Sequence, residues 1–235
     1  FLNSFSSNIN FIVPLVKLFF EIKSSLTLQI TSTMALPIPR IFILSFFSFY
    51  RFVSVLLSAQ CTDVNVNNVT KNIYLKYHQP KHFVKLGRRK IERLIRKIGI
   101  FRVKAKSIYN LSKILVKKYN SKVPRTFEEL ERLPGVGHKT ASVVMSQGFG
   151  YPAFAIDTHI HRLAQRWGLT NGKNVTQTEL DLKRLFPKKT WNKLHLQIIY
   201  YGREYCKARD CYGLTCKICS TCYPKRTKPI KTKKA

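Results

Sequence analysis

The chain has 235 residues, enough for one good hydrophobic core or two small ones, and carries 42 Lys and Arg against 11 Asp and Glu, a net charge of +31. Charge of that size folds nothing by itself; it calls for a polyanionic partner, nucleic acid before an anionic membrane or an acidic protein. Five of the six cysteines fall within seventeen residues near the C-terminus, which excludes the spread-out disulfide framework of a small secreted domain and reads as a metal site.

Residues 1–50 form an atypical N-terminal segment. The first forty are rich in Ser, Thr, Asn and apolar side chains, with Glu21 as their one acid, and the chain opens on Phe1 rather than Met. That reads as an organellar transit peptide, a processed product or an imperfect gene model. Residues 41–57 are strongly apolar but short for a bilayer and interrupted by Arg51, so they are expected to be a buried helix and not a membrane span.

Further along, Thr62 or Asp63 caps a helix with Val66, Val69, Ile73 and Tyr77 on one side. Ile91, Leu94, Ile95 and Ile98 keep helical spacing, with Gly99 as a left-handed cap. Ile108, Leu111, Leu115 and Tyr119 mark the next helix, closed by Pro124. Thr126 and Glu129 are a capping box for a short helix through Phe127, Leu130 and Leu133, which Pro134, Gly135 and Gly137 break before His138 starts another. Thr176 and Glu179 repeat the capping box ahead of Leu182, Leu185 and Phe186, and Pro187 stops that helix. A last helix runs over residues 191–205. No stretch alternates as a strand would and there is no internal repeat, so the fold class is all-α.

The segment LPGVGHKTASVV, residues 133–144, carries the most chemistry. A helix, a GVG hairpin and a second helix bare backbone N–H groups at a helix start, where they and the helix dipole bind phosphate. Lys139 lies in that first turn. The charge is unevenly spread: residues 81–122 hold fifteen Lys or Arg and one acid, Glu92, and residues 225–234 hold six more and none. A lysine-rich surface from a biased genome is the competing source of that charge.

LPGVGHKTASVV, followed eighteen residues after Lys139 by Asp157 in AIDTHIHR, resembles the endonuclease III family of helix-hairpin-helix DNA glycosylases. LLSAQCTD at residues 56–63 and the cysteine-rich end at 206–222 match the same family in the same order, so the resemblance spans most of the chain. It implies a two-lobed helix-hairpin-helix glycosylase fold: a six-helix domain over residues 51–150, an iron–sulfur cluster domain over 151–224 and a basic tail over 225–235. DNA would lie between the lobes. The implied activity is a bifunctional glycosylase and abasic-site lyase of base-excision repair, acting on oxidised pyrimidines in duplex DNA.

The same resemblance assigns roles. Lys139 would attack C1′ and Asp157 would stabilise the charge that builds on the sugar; their plain alternatives are a phosphate-binding lysine and a helix cap. Gln60 would fill the space of the flipped base, with Ile100 as a second, apolar wedge; their alternatives are a surface glutamine and a buried isoleucine. Asp63 matches another acid lining the family's cleft. Gly135 and Gly137 would hold a phosphate through their backbone, with a monovalent cation on the hairpin carbonyls. Lys207 and Arg209 would reach the DNA backbone.

The family's [4Fe–4S] ligands are spaced C-x6-C-x2-C-x5-C, whereas this chain reads Cys206-x4-Cys211-x4-Cys216-x2-Cys219-x2-Cys222. Cys206, Cys216, Cys219 and Cys222 are the expected ligands, Cys211 is the alternative, and zinc is the alternative metal. Cys61 is expected to be a small buried residue. A catalytically silent helix-hairpin-helix DNA binder and a monofunctional mismatch glycosylase stay open, as does tethering to a membrane through residues 41–57. The protein is otherwise expected to be an intracellular monomer, with bacterial cytoplasm, nucleus and organelle all compatible.

Overall fold

The structure, a computed structural model, describes residues 49–235. The readings of residues 1–48, including the apolar run before Phe49, lie outside the described residues. Every regular element among the described residues is helical. None of those helices is long and apolar enough to cross a membrane. The chain divides between Ala153 and Phe154 into two compact units.

The first unit holds α1 (Phe49–Ser58), α2 (Asp63–Lys76), α3 (Pro80–Leu94), α4 (Phe101–Lys118), α5 (Phe127–Glu131) and α6 (His138–Val143), the last widening into a π turn over Val144–Gly148. Thr62 caps α2, its hydroxyl accepting from the Asn65 N–H at 3.4 Å. Pro80 opens α3, where its missing N–H would have had no helical partner. Gly87 then breaks α3 with φ 72° and ψ 159°, so it is two short helices end to end. α3 packs along α4, and α1 lies against α2, α4 and α6. Phe52, Phe83, Ile91, Ile108, Leu111, Leu115 and Leu130 are fully buried in the core between them.

The expected helix through Ile98 stops earlier. α3 ends at Leu94, and Ile95 and Ile98 fill the core from a turn closed by the Ile98 N–H on the Ile95 carbonyl at 2.8 Å. The left-handed residue is Ile100, at φ 49°, and not Gly99. A Cβ on Gly99 would make ordinary van der Waals contact with the Gln60 carbonyl oxygen at 3.4 Å, which places the two loops side by side.

The second unit holds α7 (Thr158–Arg166), α8 (Val175–Leu185), α9 (Trp191–Glu204) and α10 (Lys217–Cys222), with a 3₁₀ turn over Lys188–Thr190. α9 and α8 both pack on α7, around Phe154, Ile160, Leu163, Leu182 and Ile198. α8 is capped by Asn174, whose Oδ1 accepts from the Gln177 N–H at 2.7 Å, two residues before the expected Thr176 cap. Asn174 wins because its short side chain folds back on the first turn, while Glu179 instead pairs with Lys183 one turn on.

The basic tail is pinned to this unit. The Ile230 N–H donates to the Tyr212 carbonyl at 2.9 Å, and the Lys233 backbone bonds Gln165 in both directions at 2.7 and 3.1 Å. Arg226 stacks 3.7 Å from the Tyr223 ring centroid and donates to the carbonyls of Arg166 and Gly213.

Candidate nucleic-acid interface and cysteine centre

In the first unit the hairpin is built as its sequence demands. The Thr126 hydroxyl accepts from the Glu129 N–H at 3.3 Å and holds the Glu129 carboxylate at 3.0 Å, which starts α5. Gly135 sits at φ 82°, and a Cβ there would meet Ser107 of α4 at 2.8 Å, so glycine is needed for both conformation and space. Val136 is buried and anchors the hairpin tip, while Gly135, Gly137 and Lys139 are exposed on either side of it. Gly137 is the extended N-cap of α6, and the N–H groups of the following turn point out of the helix end. His138 clasps the two helices, its Nδ1 2.8 Å from Glu131 Oε1 and its ring stacked on Phe127 with centroids 6.0 Å apart.

Two other loops of this unit each carry an exposed residue with left-handed backbone: Gln60 at φ 54° and Ile100 at φ 49°. Ile100 is 54% exposed, which removes the reading of it as a buried core residue. Asn65 ties the loops together, donating to the Lys97 carbonyl at 3.0 Å and to Cys61 Sγ at 3.3 Å. Cys61 is half-buried rather than buried. Asp63 is exposed at the start of α2.

In the second unit Asp157 is the N-cap of α7, its Oδ1 accepting from the Ile160 N–H at 2.8 Å. The cap role is real, and it holds one carboxylate oxygen at a helix start. Burial pushes the His159 imidazole below its usual range, opposed by the nearby Asp157 carboxylate. Lys207 and Arg209 are exposed, and the backbone beneath them is fixed by Arg166.

Arg166 is 2% exposed and donates to the carbonyls of Cys206, Lys207 and Ala208 at 3.3, 2.8 and 2.9 Å and to Cys206 Sγ at 3.3 Å. Its place on the buried face of α7, three residues after Leu163, is the one sequence signal that could have found it. Arg166→Ala removes the donor to the Lys207 and Ala208 carbonyls and to Cys206 Sγ, leaving Arg162 as the donor to the Cys206 carbonyl at 3.1 Å, and is expected to cost about 3 kcal/mol in denaturant unfolding; Arg166→Lys should rescue little, because one ammonium cannot reproduce the fork.

The thiols of Cys206, Cys211, Cys216 and Cys219 are all buried, and their Sγ atoms lie within 4.8 Å of one another. Cys222 is outside that group, so the observed set exchanges the expected Cys222 for Cys211. The reason lies in the turn: Tyr212 at φ 48° and Gly213 at φ 84° reverse the chain, and Cys211 Sγ then accepts from the Cys216 N–H at 3.4 Å. Cys222 is six residues beyond Cys216, about 9 Å along the axis of α10. Crowding splits the thiols: hydrogen bonds from Cys206 and Cys219 hold Cys216 down, and hydrogen bonds with Cys206 and Cys216 push Cys219 up. Burial pushes Cys222 up. Four convergent thiols with no imidazole among them can hold a metal with a preference for soft ligands.

Residues 53–188 match the HhH-GPD superfamily of base excision DNA repair proteins. The chain is 43% identical to endonuclease III of Bacillus subtilis (strain 168) over 171 residues, 72% of this chain and 78% of that protein. It is 41% identical to endonuclease III of Rickettsia prowazekii (strain Madrid E) over 167 residues, 71% of this chain and 77% of that one. Among solved structures, a trapped endonuclease III–DNA covalent intermediate superposes with TM-score 0.68 at 42% identity, covering 71% of this chain and 79% of that one.

Proposed function

The chain belongs to the endonuclease III family within the HhH-GPD superfamily of base excision DNA repair proteins, and from that premise we propose that it is a bifunctional DNA glycosylase and abasic-site lyase acting on oxidised pyrimidines in duplex DNA. The observation that carries this is Lys139, exposed in the first turn after a glycine hairpin, in a chain similar to a protein trapped covalently on DNA. The Nζ lone pair of Lys139 attacks C1′ of the damaged nucleotide, and the base leaves with the electrons of the glycosidic bond and takes up a proton. The aminal left at C1′ opens as the C1′–O4′ bond breaks, O4′ takes up a proton and the nitrogen lone pair forms the imine, which acidifies C2′; loss of a C2′ proton then expels the 3′ phosphate by β-elimination and nicks the strand. Asp157 balances the positive charge that builds on the sugar. Gln60 and Ile100 occupy the space the flipped nucleotide leaves. Gly135, Gly137, Lys207 and Arg209 hold phosphates.

Cys206, Cys211, Cys216 and Cys219 would hold a [4Fe–4S] cluster, supported by their convergence, their burial and the Arg166 donor on Cys206 Sγ. When bound, such a cluster would supply a fixed scaffold for the loop bearing Lys207 and Arg209. Zinc is the metal to distinguish from it, by iron and sulfide content.

The test is a duplex carrying one thymine glycol, treated with the full chain and borohydride. Base release together with a covalent protein–DNA adduct is expected. Soluble, metal-loaded protein that binds the duplex and gives neither would sink the proposal. Asp157→Asn separates the carboxylate's two roles: asparagine caps a helix as well as aspartate, so the melting temperature should hold. Single-turnover base release should fall on the order of 10²-fold.

A further inference from the structure

Lys104 is 7% exposed, and among the described residues no carboxylate pairs with it. Its ammonium instead donates to the Leu57 carbonyl at 2.9 Å and the Ala59 carbonyl at 2.5 Å. Leu57 is in the last turn of α1 and Ala59 directly follows the helix, at an end where carbonyls lack helical donors and the helix dipole favours a cation. The acceptors bracket the residue after which the chain turns, and Gln60 follows directly at φ 54°. Lys104 itself stands one turn into α4, whose left-handed entry residue is Ile100. Gly99, next to Ile100, lies beside the Gln60 carbonyl, where a Cβ would make ordinary van der Waals contact at 3.4 Å.

One buried cation therefore clamps the loop of Gln60 to the helix that Ile100 begins. A lysine stem serves core packing poorly compared with leucine, and burial penalises its charge, which lowers its pKa below the usual lysine range. Non-glycine residues at positive φ are held only by their surroundings. Here two of them are exposed on neighbouring loops and tied to one residue: Gln60 follows the carbonyls that the Lys104 ammonium holds, and the Ile100 carbonyl accepts from the Lys104 N–H at 3.1 Å.

We infer that Lys104 is a positioning residue for duplex distortion: by holding the Leu57 and Ala59 carbonyls it sets Gln60 and Ile100 as one rigid wedge that unstacks a base pair. The inference rests on the proposed action on duplex DNA, and its test does not depend on catalysis. The full, metal-loaded chain is bound to a duplex with a tetrahydrofuran abasic analogue opposite 2-aminopurine, whose fluorescence rises when it unstacks; anisotropy reports binding on the same sample.

Wild type should bind with a fluorescence rise. Lys104→Met should bind at saturation with the rise lost, Gln60→Ala should behave alike, and the double variant should add nothing. Base release from a duplex lesion should fall on the order of 10²-fold in Lys104→Met, the scale expected of a misplaced group. If Lys104→Met shows no cooperative melt, Lys104→Arg carries the decision, since its planar fork cannot seat on both carbonyls in the same way. An undiminished rise in either folded variant overturns the inference, and so does a wild type that binds with no rise. Trapping of wild type on a true abasic duplex is read separately. A failure there, with the rise intact, refutes the proposed lyase and leaves the positioning role supported.

Discussion

Lys139→Gln is expected to melt and bind duplex DNA as the wild type does, yet to form no borohydride-trapped adduct and to lose strand nicking by at least about 10³-fold, the scale of removing a nucleophile. The side chain is exposed in the first turn of α6, so its removal strands no buried partner. The hairpin's shape depends on Gly135 against Ser107, Val136 in the core and the His138–Glu131 clasp, none of which the substitution touches. Loss of one phosphate-range cation should lower the salt slope of binding by about one unit at most. The outcomes separate the rival readings. A wild type that releases base with no adduct is a monofunctional glycosylase. A wild type that binds and does neither is a silent binder. An adduct that persists in Lys139→Gln assigns the nucleophile elsewhere.

The second large effect concerns the cysteines. Cys211→Ser is expected to lose the bound metal and lower the melting temperature of the second unit by more than about 10 °C, while Cys222→Ser keeps both the metal and the cooperative melt. A structural metal is folding free energy for the segment around it. Apart from its cysteines, the loop from Cys206 to Cys219 has Ile218 as its one fully buried apolar side chain, so hydrogen bonds with Arg162, Arg166, Tyr201, Arg226 and Ile230 hold it in place of a core. Metal content per chain, measured beside the melt, decides between the two sets. The reverse pattern, with metal lost in Cys222→Ser and kept in Cys211→Ser, restores the spacing expected from the family.

Legibility followed the range of the interaction. The caps at Thr62, Thr126 and Asp157 and the break at Gly135 were readable because each is settled within about four residues of chain. So were the apolar faces of α2 and α4, which need only helical spacing. Where two local solutions competed, the reading slipped. Asn174 displaced Thr176 as a cap, and Ile100, one residue on, took the left-handed turn that Gly99 was expected to take.

By itself the sequence determined an all-α chain, a glycine hairpin with a lysine behind it, a cluster of thiols and a surface suited to a polyanion. Those are properties of short motifs and of summed charge, and they survive without knowing where any segment goes. Only the tertiary structure decided that Cys211 and not Cys222 joins the thiol group, that Arg166 is spent on the cysteine loop, and that Lys104 is buried against α1. Each of those depends on a partner brought close by a turn or by helix packing, up to 47 residues away along the chain. A buried cation reads in sequence like any surface lysine until its acceptors are in place.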